Sequence, residues 1–193
     1  TLLNRVYIND WESLAVGRSR YGVMCGEDGM VFDDGVTTRL GEYHYLMSTT
    51  TVGAERVLRW LEEWLQTEWP NLKVYLTSVT EQWAVAAICG PKSRELLQDL
   101  CTDIDFSDKA FPFMGYREGT VACIKARIFR ISFTGEISFE IKDNEIEPDF
   151  VSAIKLCKKR RIGPMRPEAN RELFYKKCQK TILTGAKICK KIR

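Results

Sequence analysis

The chain has 193 residues, 45% of them hydrophobic, 11% aromatic and 28% charged. That composition supports one domain, or two small intimate ones, around a real core, and excludes wholesale disorder. No run of 18 apolar residues offers a membrane helix, and no charged-then-apolar segment opens the chain as an export signal. The net charge of +3 conceals an asymmetry. Residues 1–150 hold 15 Lys and Arg against 24 Asp and Glu, a net of −9, whereas residues 151–193 hold 14 against 2, a net of +12. A basic tail suits anionic partners. This one lacks the interleaved aromatic pattern of a stacking platform, so complementing the acidic body is the favoured reading and nucleic acid the weaker one.

In chain order, Thr1–Val6 reads as the middle of an amphipathic helix, which suggests a piece of something longer. Residues 20–50 read as an antiparallel meander: a strand Arg20–Cys25, a turn Gly26-Glu27-Asp28-Gly29 on a strong Asp-Gly hairpin signal, a strand Met30–Arg39, and a third strand His44–Thr50. The spacing of Val57, Leu61, Trp64 and Leu65 predicts a helix over Gly53–Gln66, ended by Trp69-Pro70-Asn71. In that helix the Trp60/Trp64 pair reads as core rather than as a ligand stack. Leu72–Val79 and Gln82–Cys89 read as strands. Gly90-Pro91 starts a helix over Lys92–Cys101, and its glycine, lysine and serine read as structural rather than as an anion site. Gly119–Phe133 and Ile137–Ile141 read as strands split by Thr134-Gly135, and Phe150–Lys159 and Glu168–Lys177 as helices. The predicted class is α+β with mainly antiparallel sheets and packed helices. A faint repeat at an offset of 94 to 95 residues relates Leu2–Val6 to Leu96–Leu100, each followed by an acidic loop and strands, so two similar helix-plus-meander halves are expected.

The seven Cys include no C-x-x-C pair and read as reduced and mostly packed. The single histidine, His44, reads as a strand-edge side chain, which nearly excludes a Cys/His zinc site or a Cys-His nucleophile. The most unusual local feature is Asp33-Asp34-Gly35, which interrupts an apolar strand. Alternation places Asp34 with Phe32 and Val36 and Asp33 with Gly35. On that reading Asp34 bears on stability, and Asp33 reaches a ligand, holding or polarising an amine. The alternative is a bulge or turn with two solvated carboxylates, and a bulge exchanges which Asp faces inward. The glycine marks close approach by another backbone or by a ligand. Phe133-Thr134-Gly135-Glu136 reads as a tight hairpin with Glu136 at its mouth. There a carboxylate accepts two parallel N–H bonds from an aminopyrimidine-like edge, or is simply an exposed turn residue. The turn glycines Gly26 and Gly29 form no dinucleotide fingerprint.

Taken together, Arg18–Gly22 with Asp28–Thr37, Thr77–Trp83 followed by Gly90-Pro91, and Arg130–Ile141 resemble the glycine-cleavage T-protein (aminomethyltransferase) family. Within it, the details are most similar to the C-terminal folate domain of the alpha subunit of heterotetrameric sarcosine oxidases. The resemblance covers residues 2 to 141. It then loosens: the family's next helix carries an arginine whose place here falls near Phe174, and residues 151–193 form a basic, divergent C-terminal part of the same domain that residues 1–150 build.

The resemblance implies a tetrahydrofolate site. It matches the family's key aspartate to Asp33 and its pterin-contacting glutamate to Glu136, with Asp34, Tyr21 and Phe133 as further cofactor-binding residues and no metal. It implies an enzyme part that captures an amine-derived imine to give 5,10-methylenetetrahydrofolate. Flavin and NAD lie on other parts of the complex, and the other sarcosine oxidase subunits are partners in a hetero-oligomer. The setting is cytoplasmic, or the mitochondrial matrix in a eukaryote, without a membrane partner. The alternative on the same fold is a non-catalytic folate-binding or regulatory module.

Overall fold

The computed structural model describes residues 1–121 and 124–143. The helices expected at Phe150–Lys159 and Glu168–Lys177 lie outside the described residues. The chain divides into two compact units, Thr1–Thr80 and Glu81–Arg193. Among the described residues all strand pairs are antiparallel, and no helix is long and apolar enough to cross a membrane.

In the first unit a short helix α1 (Leu3–Val6) precedes a meander of β1 (Arg18–Cys25), β2 (Val31–Arg39) and β3 (Tyr45–Met47), followed by α2 (Ala54–Thr67). The Asp-Gly turn forms as read. Gly29 takes a left-handed φ of 77°, its N–H donates to the Gly26 carbonyl at 3.0 Å, and the Gly26 N–H donates to Met30 O at 2.8 Å. That conformation costs glycine nothing. Leu3, Val6, Tyr7, Trp11, Met24, Val57 and Leu61 are buried together. The tryptophans of α2 pack as expected: Phe32, Trp60 and Trp64 follow one another at 4.7 and 6.2 Å, and Trp64 stacks on Trp69 at 5.2 Å.

Leu72–Val79 is not a strand. Leu72, Val74 and Leu76 do alternate inward onto this core, while Lys73, Tyr75 and Thr77 are exposed. The segment has the period of a strand without a partner ladder. His44 is exposed and precedes β3, its carbonyl accepting from Leu40 N and Gly41 N.

In the second unit β4 (Ala84–Cys89) leads to α3 (Ser93–Leu100), then β5 (Tyr116–Val121), β6 (Ile124–Phe129) and β7 (Ser138–Asp143), in the sheet order β4-β7-β6-β5. The single strand expected over Gly119–Phe133 is instead a hairpin, with Val121 opposite Ile124 and Tyr116 opposite Phe129. No glycine, proline, asparagine or aspartate marks that turn in the sequence. The core joins Leu97, Leu100, Phe106, Phe111, Ile128, Phe139 and Ile141. The repeat is visible in these two cores. Leu3 and Leu97 are both buried, and Trp11 and Phe106, 95 residues apart, are both fully so. Of the described cysteines, Cys101 is buried, Cys25 half-buried and Cys89 exposed, so packing is less general than expected.

Candidate functional site

Asp33 is a buried carboxylate of the first unit. Cys25 pairs with Val31 and Met24 pairs with Asp33, which leaves Phe32 without a partner on β1. Phe32 is the extra residue of a β-bulge, so it and Asp33 both turn to the packed side. Phe32 lies against the core and Asp33 is only 4% exposed. The simple alternation that made Asp34 the stability residue is thereby overturned.

A buried carboxylate needs partners, and Asp33 has them. Its Oδ1 accepts from Thr50 N and from Asp34 N, each at 2.9 Å. Its Oδ2 accepts from the Thr50 hydroxyl at 2.8 Å. An Arg56 nitrogen stands 3.7 Å from the same oxygen; Arg56 also donates to Phe32 O at 2.6 Å and lies over the Phe32 ring.

Two glycines make this arrangement possible. A Cβ on Gly53, the residue before α2, would stand 1.8 Å from Asp33 Oδ2. A Cβ on Gly35 would stand 1.9 Å from Ser48 O. The close approach signalled by the strand glycine is therefore made by another stretch of backbone, residues 48–49. On the same face Tyr7 meets Thr37 at 3.3 Å. Burial pushes the Tyr7 phenol up to about 12, against the pull of the Thr37 bond and with the Asp33 and Asp34 charges adding to the rise.

Tyr21 and Asp34 come together on the opposite face of the sheet. The Tyr21 hydroxyl donates to Asp34 Oδ2 at 2.7 Å, a bond that raises the phenol above its ordinary value. Tyr21 is exposed and Asp34 half-buried. The adjacent carboxylates thus have different surroundings: Asp33 is fixed from several sides, whereas Asp34 meets a single phenol at an open surface.

Glu136 and Phe133 belong to the second unit and lie on one connection, residues 130–137, between β6 and β7. This is a longer excursion than the tight hairpin expected, because β6 ends at Phe129 and β7 begins at Ser138. Both ends of the connection are pinned. Arg130 exchanges backbone bonds with Met114 and Gly115, and its side chain reaches Phe111 O at 2.7 Å and Asp108 at 2.6 Å. Asp108 also pairs with Arg94 of α3 at 2.6 Å, and these two arginines hold its carboxyl below the usual range. At the far end, Ile137 O accepts from Gly90 N at 2.9 Å and from the Ser93 hydroxyl at 3.1 Å. Between the pins, Gly135 takes a φ of 84° and donates to Ser132 Oγ. The Phe133 ring is fully exposed. Glu136 is exposed and has no hydrogen-bond or ion-pair partner among the described residues.

The residues that the sequence reading missed are those that hold the candidates in place: Thr50, Gly53 and Arg56 around Asp33, and Arg130 and Ser93 around the Glu136 connection. A signal for the first group was present. Ser48-Thr49-Thr50-Thr51 directly before a predicted helix is the residue type that satisfies free N–H groups at a helix start, and the Thr50 hydroxyl does accept from Gly53 N at 3.1 Å.

Comparison with known proteins matches residues 1–149 to the model of the GCVT N-terminal domain. The chain is 59% identical over 140 residues to the sarcosine oxidase subunit alpha of Corynebacterium sp. (strain P-1), covering 72% of this chain and 14% of that one. It is 37% identical over 153 residues to the aminomethyltransferase of Thermus thermophilus, covering 76% and 41% respectively. Among solved structures, the glycine cleavage system aminomethyltransferase T from Bartonella henselae superposes with a TM-score of 0.66 at 21% identity, over 79% of this chain and 39% of that one. The chain therefore spans about one seventh of the length of the sarcosine oxidase relative and carries the aminomethyltransferase fold.

Proposed function

The chain belongs to the GCVT N-terminal domain family, and on that premise we propose that it is the tetrahydrofolate-binding, one-carbon-transfer domain of a sarcosine-oxidase-type alpha subunit. The observation that carries the proposal is Asp33, a buried carboxylate held in fixed geometry within the first unit; within the second unit Glu136 and Phe133 are both exposed on one connection. The identity with the sarcosine oxidase subunit alpha supports the assignment to that kind of protein.

The residues fit a reduced pterin. An aminopyrimidine edge offers parallel N–H donors, and the open carboxylate of Glu136 has acceptor capacity for a pair of them. A flat heterocycle finds an uncovered face on Phe133. Tetrahydrofolate, when bound, supplies the amine nitrogens that take up the one-carbon unit released from the donor amine. Glu136 orients it through the pyrimidine edge. Asp33 stands ready to accept a proton from an amine, or to stabilise positive charge on it, from a position that cannot drift. Asp34, with Tyr21 bonded to it, offers an acceptor on the outer sheet face. Flavin and nicotinamide chemistry, and the subunits that perform it, belong to other parts of the complex in this reading.

The test is titration of tetrahydrofolate into the chain and its Glu136→Ala variant. Loss of a charged acceptor for paired donors is worth about 1.5–3 kcal/mol, so affinity is expected to fall by roughly tenfold or more. Equal affinity in both proteins overturns the assignment of Glu136. Absence of binding to the parent favours the alternative on the same fold, a regulatory module.

A further inference from the structure

We propose that Thr50 is the positioning residue for Asp33, setting the angle at which its carboxylate meets the reacting amine. The inference rests on the reading of Asp33 given above and adds a residue to it.

A carboxylate offers about four acceptor positions. Three on Asp33 are filled, two of them by Thr50: its N–H to Oδ1 at 2.9 Å and its hydroxyl to Oδ2 at 2.8 Å. One residue therefore grips both oxygens, and a two-point grip fixes the plane of the carboxylate as well as its place. A terminal carboxylate torsion is otherwise broad. The hydroxyl is oriented in turn, because it accepts the Gly53 N–H at 3.1 Å. With that lone pair taken, its proton is directed to Asp33.

The relay thus runs from the backbone at the head of α2, through Thr50 Oγ1, to Asp33 Oδ2. One acceptor position is left on Oδ2, on the oxygen that Arg56 approaches to 3.7 Å without closing a hydrogen bond. That position is the one Arg56 faces, and Thr50 sets where it points. Thr50 itself is exposed, so its side chain contributes this orientation rather than core packing.

Thr50→Val keeps the shape and the backbone bond to Oδ1 but removes the hydroxyl from Oδ2, freeing the carboxylate to turn. Thr50→Ser keeps the hydroxyl. The measurements, made on the full-length protein that carries this chain together with its oxidised flavin as the two-electron acceptor, are the single-turnover rate at which sarcosine and tetrahydrofolate give methylenetetrahydrofolate and glycine and, separately, the tetrahydrofolate Kd. A small misplacement of a reacting group costs on the order of 10- to 100-fold in rate. Thr50→Val is expected to lose that much rate with Kd within about twofold of the parent, and Thr50→Ser to recover most of it. Asp33→Asn is run alongside. If Asp33→Asn transfers at the parental rate, the catalytic reading of Asp33 falls and takes this inference with it. If Asp33→Asn is inactive while Thr50→Val is unaffected, the positioning role alone is overturned. It is also overturned if both Thr50 variants lose rate and folate affinity together, which is the mark of a merely structural contact.

Discussion

Gly53→Ala isolates how tightly Asp33 is held. By conformation the change is favourable: Gly53 sits at φ −81° and ψ −13°, which alanine adopts freely, and removing a glycine stiffens the unfolded chain by about 0.4–1 kcal/mol. By contact it is not. The new methyl would stand 1.8 Å from Asp33 Oδ2 and 2.7 Å from Thr50 Oγ1. A flexible side chain at such a distance simply moves, but Asp33 is buried and bonded through both oxygens. Either the helix start shifts, an overpacking cost of about 1–3 kcal/mol, or the carboxylate leaves Thr50 and forfeits a charge-assisted bond of about 1.5–3 kcal/mol. Set against the entropic gain, either route leaves a net expected loss of about 0.5–2.5 kcal/mol. Gly41→Ala is the matched control, since its Cβ would find His44 Cβ at 3.6 Å, an ordinary contact, and its effect is expected within about 0.5 kcal/mol. Urea denaturation of the three proteins, followed by tryptophan fluorescence, reads the difference. A Gly53→Ala protein as stable as the Gly41→Ala control would show that Asp33 yields freely, and the account of a fixed carboxylate would be wrong.

Asp33→Asn is expected to lower stability by about 1–3 kcal/mol, because an amide nitrogen replaces an acceptor facing the Thr50 hydroxyl and Arg56. Asp34→Asn, on the open face, is expected to stay within about 0.5 kcal/mol of the parent; the same denaturation assay ranks them, and the opposite order would refute the bulge register. The Tyr7 phenol, raised from 10.0 to about 12, holds its proton more tightly folded than unfolded. Its contribution is therefore complete below pH 10 and lost as pH climbs towards 12. Stability measured between pH 9 and 11 should fall more steeply in the parent than in Tyr7→Phe, and parallel curves would contradict the burial argument.

Much of the fold was legible because its signals are local. The Asp28-Gly29 turn, the 3.6-residue spacing of Val57 and Leu61 in α2, and the Gly90-Pro91 entry to α3 each act within a few residues. What failed depended on pairing. Leu72, Val74 and Leu76 alternate correctly, yet alternation reports burial and not the presence of a neighbouring ladder. The β5–β6 hairpin has the sequence of one strand because apolar residues run through Val121 and Ile124 with no turn residue between them. The Glu136 connection has the sequence of a tight hairpin because Thr134-Gly135 resembles a turn, whereas the Arg130 and Ile137 anchors that lengthen it are made by partners far away in sequence.

The two carboxylates Asp33 and Asp34 show where legibility ends within the site. Alternation separates their faces, but which face is packed was decided by a bulge at Phe32, a property of β1 as much as of β2. A strand glycine signals a close approach by backbone or by ligand alike; Ser48 O, 1.9 Å from where a Cβ would stand, makes it backbone. That clamp brings Thr50 onto Asp33, and it limits what Asp33 is able to do. With three of about four acceptor positions filled, Asp33 has room for one further donor and cannot receive the paired donors of an aminopyrimidine edge. Glu136, with no partner among the described residues, has room for both. Within each unit, taken by itself, the count of open acceptor positions suits the proposed role, a single further donor at Asp33 and a two-donor edge at Glu136.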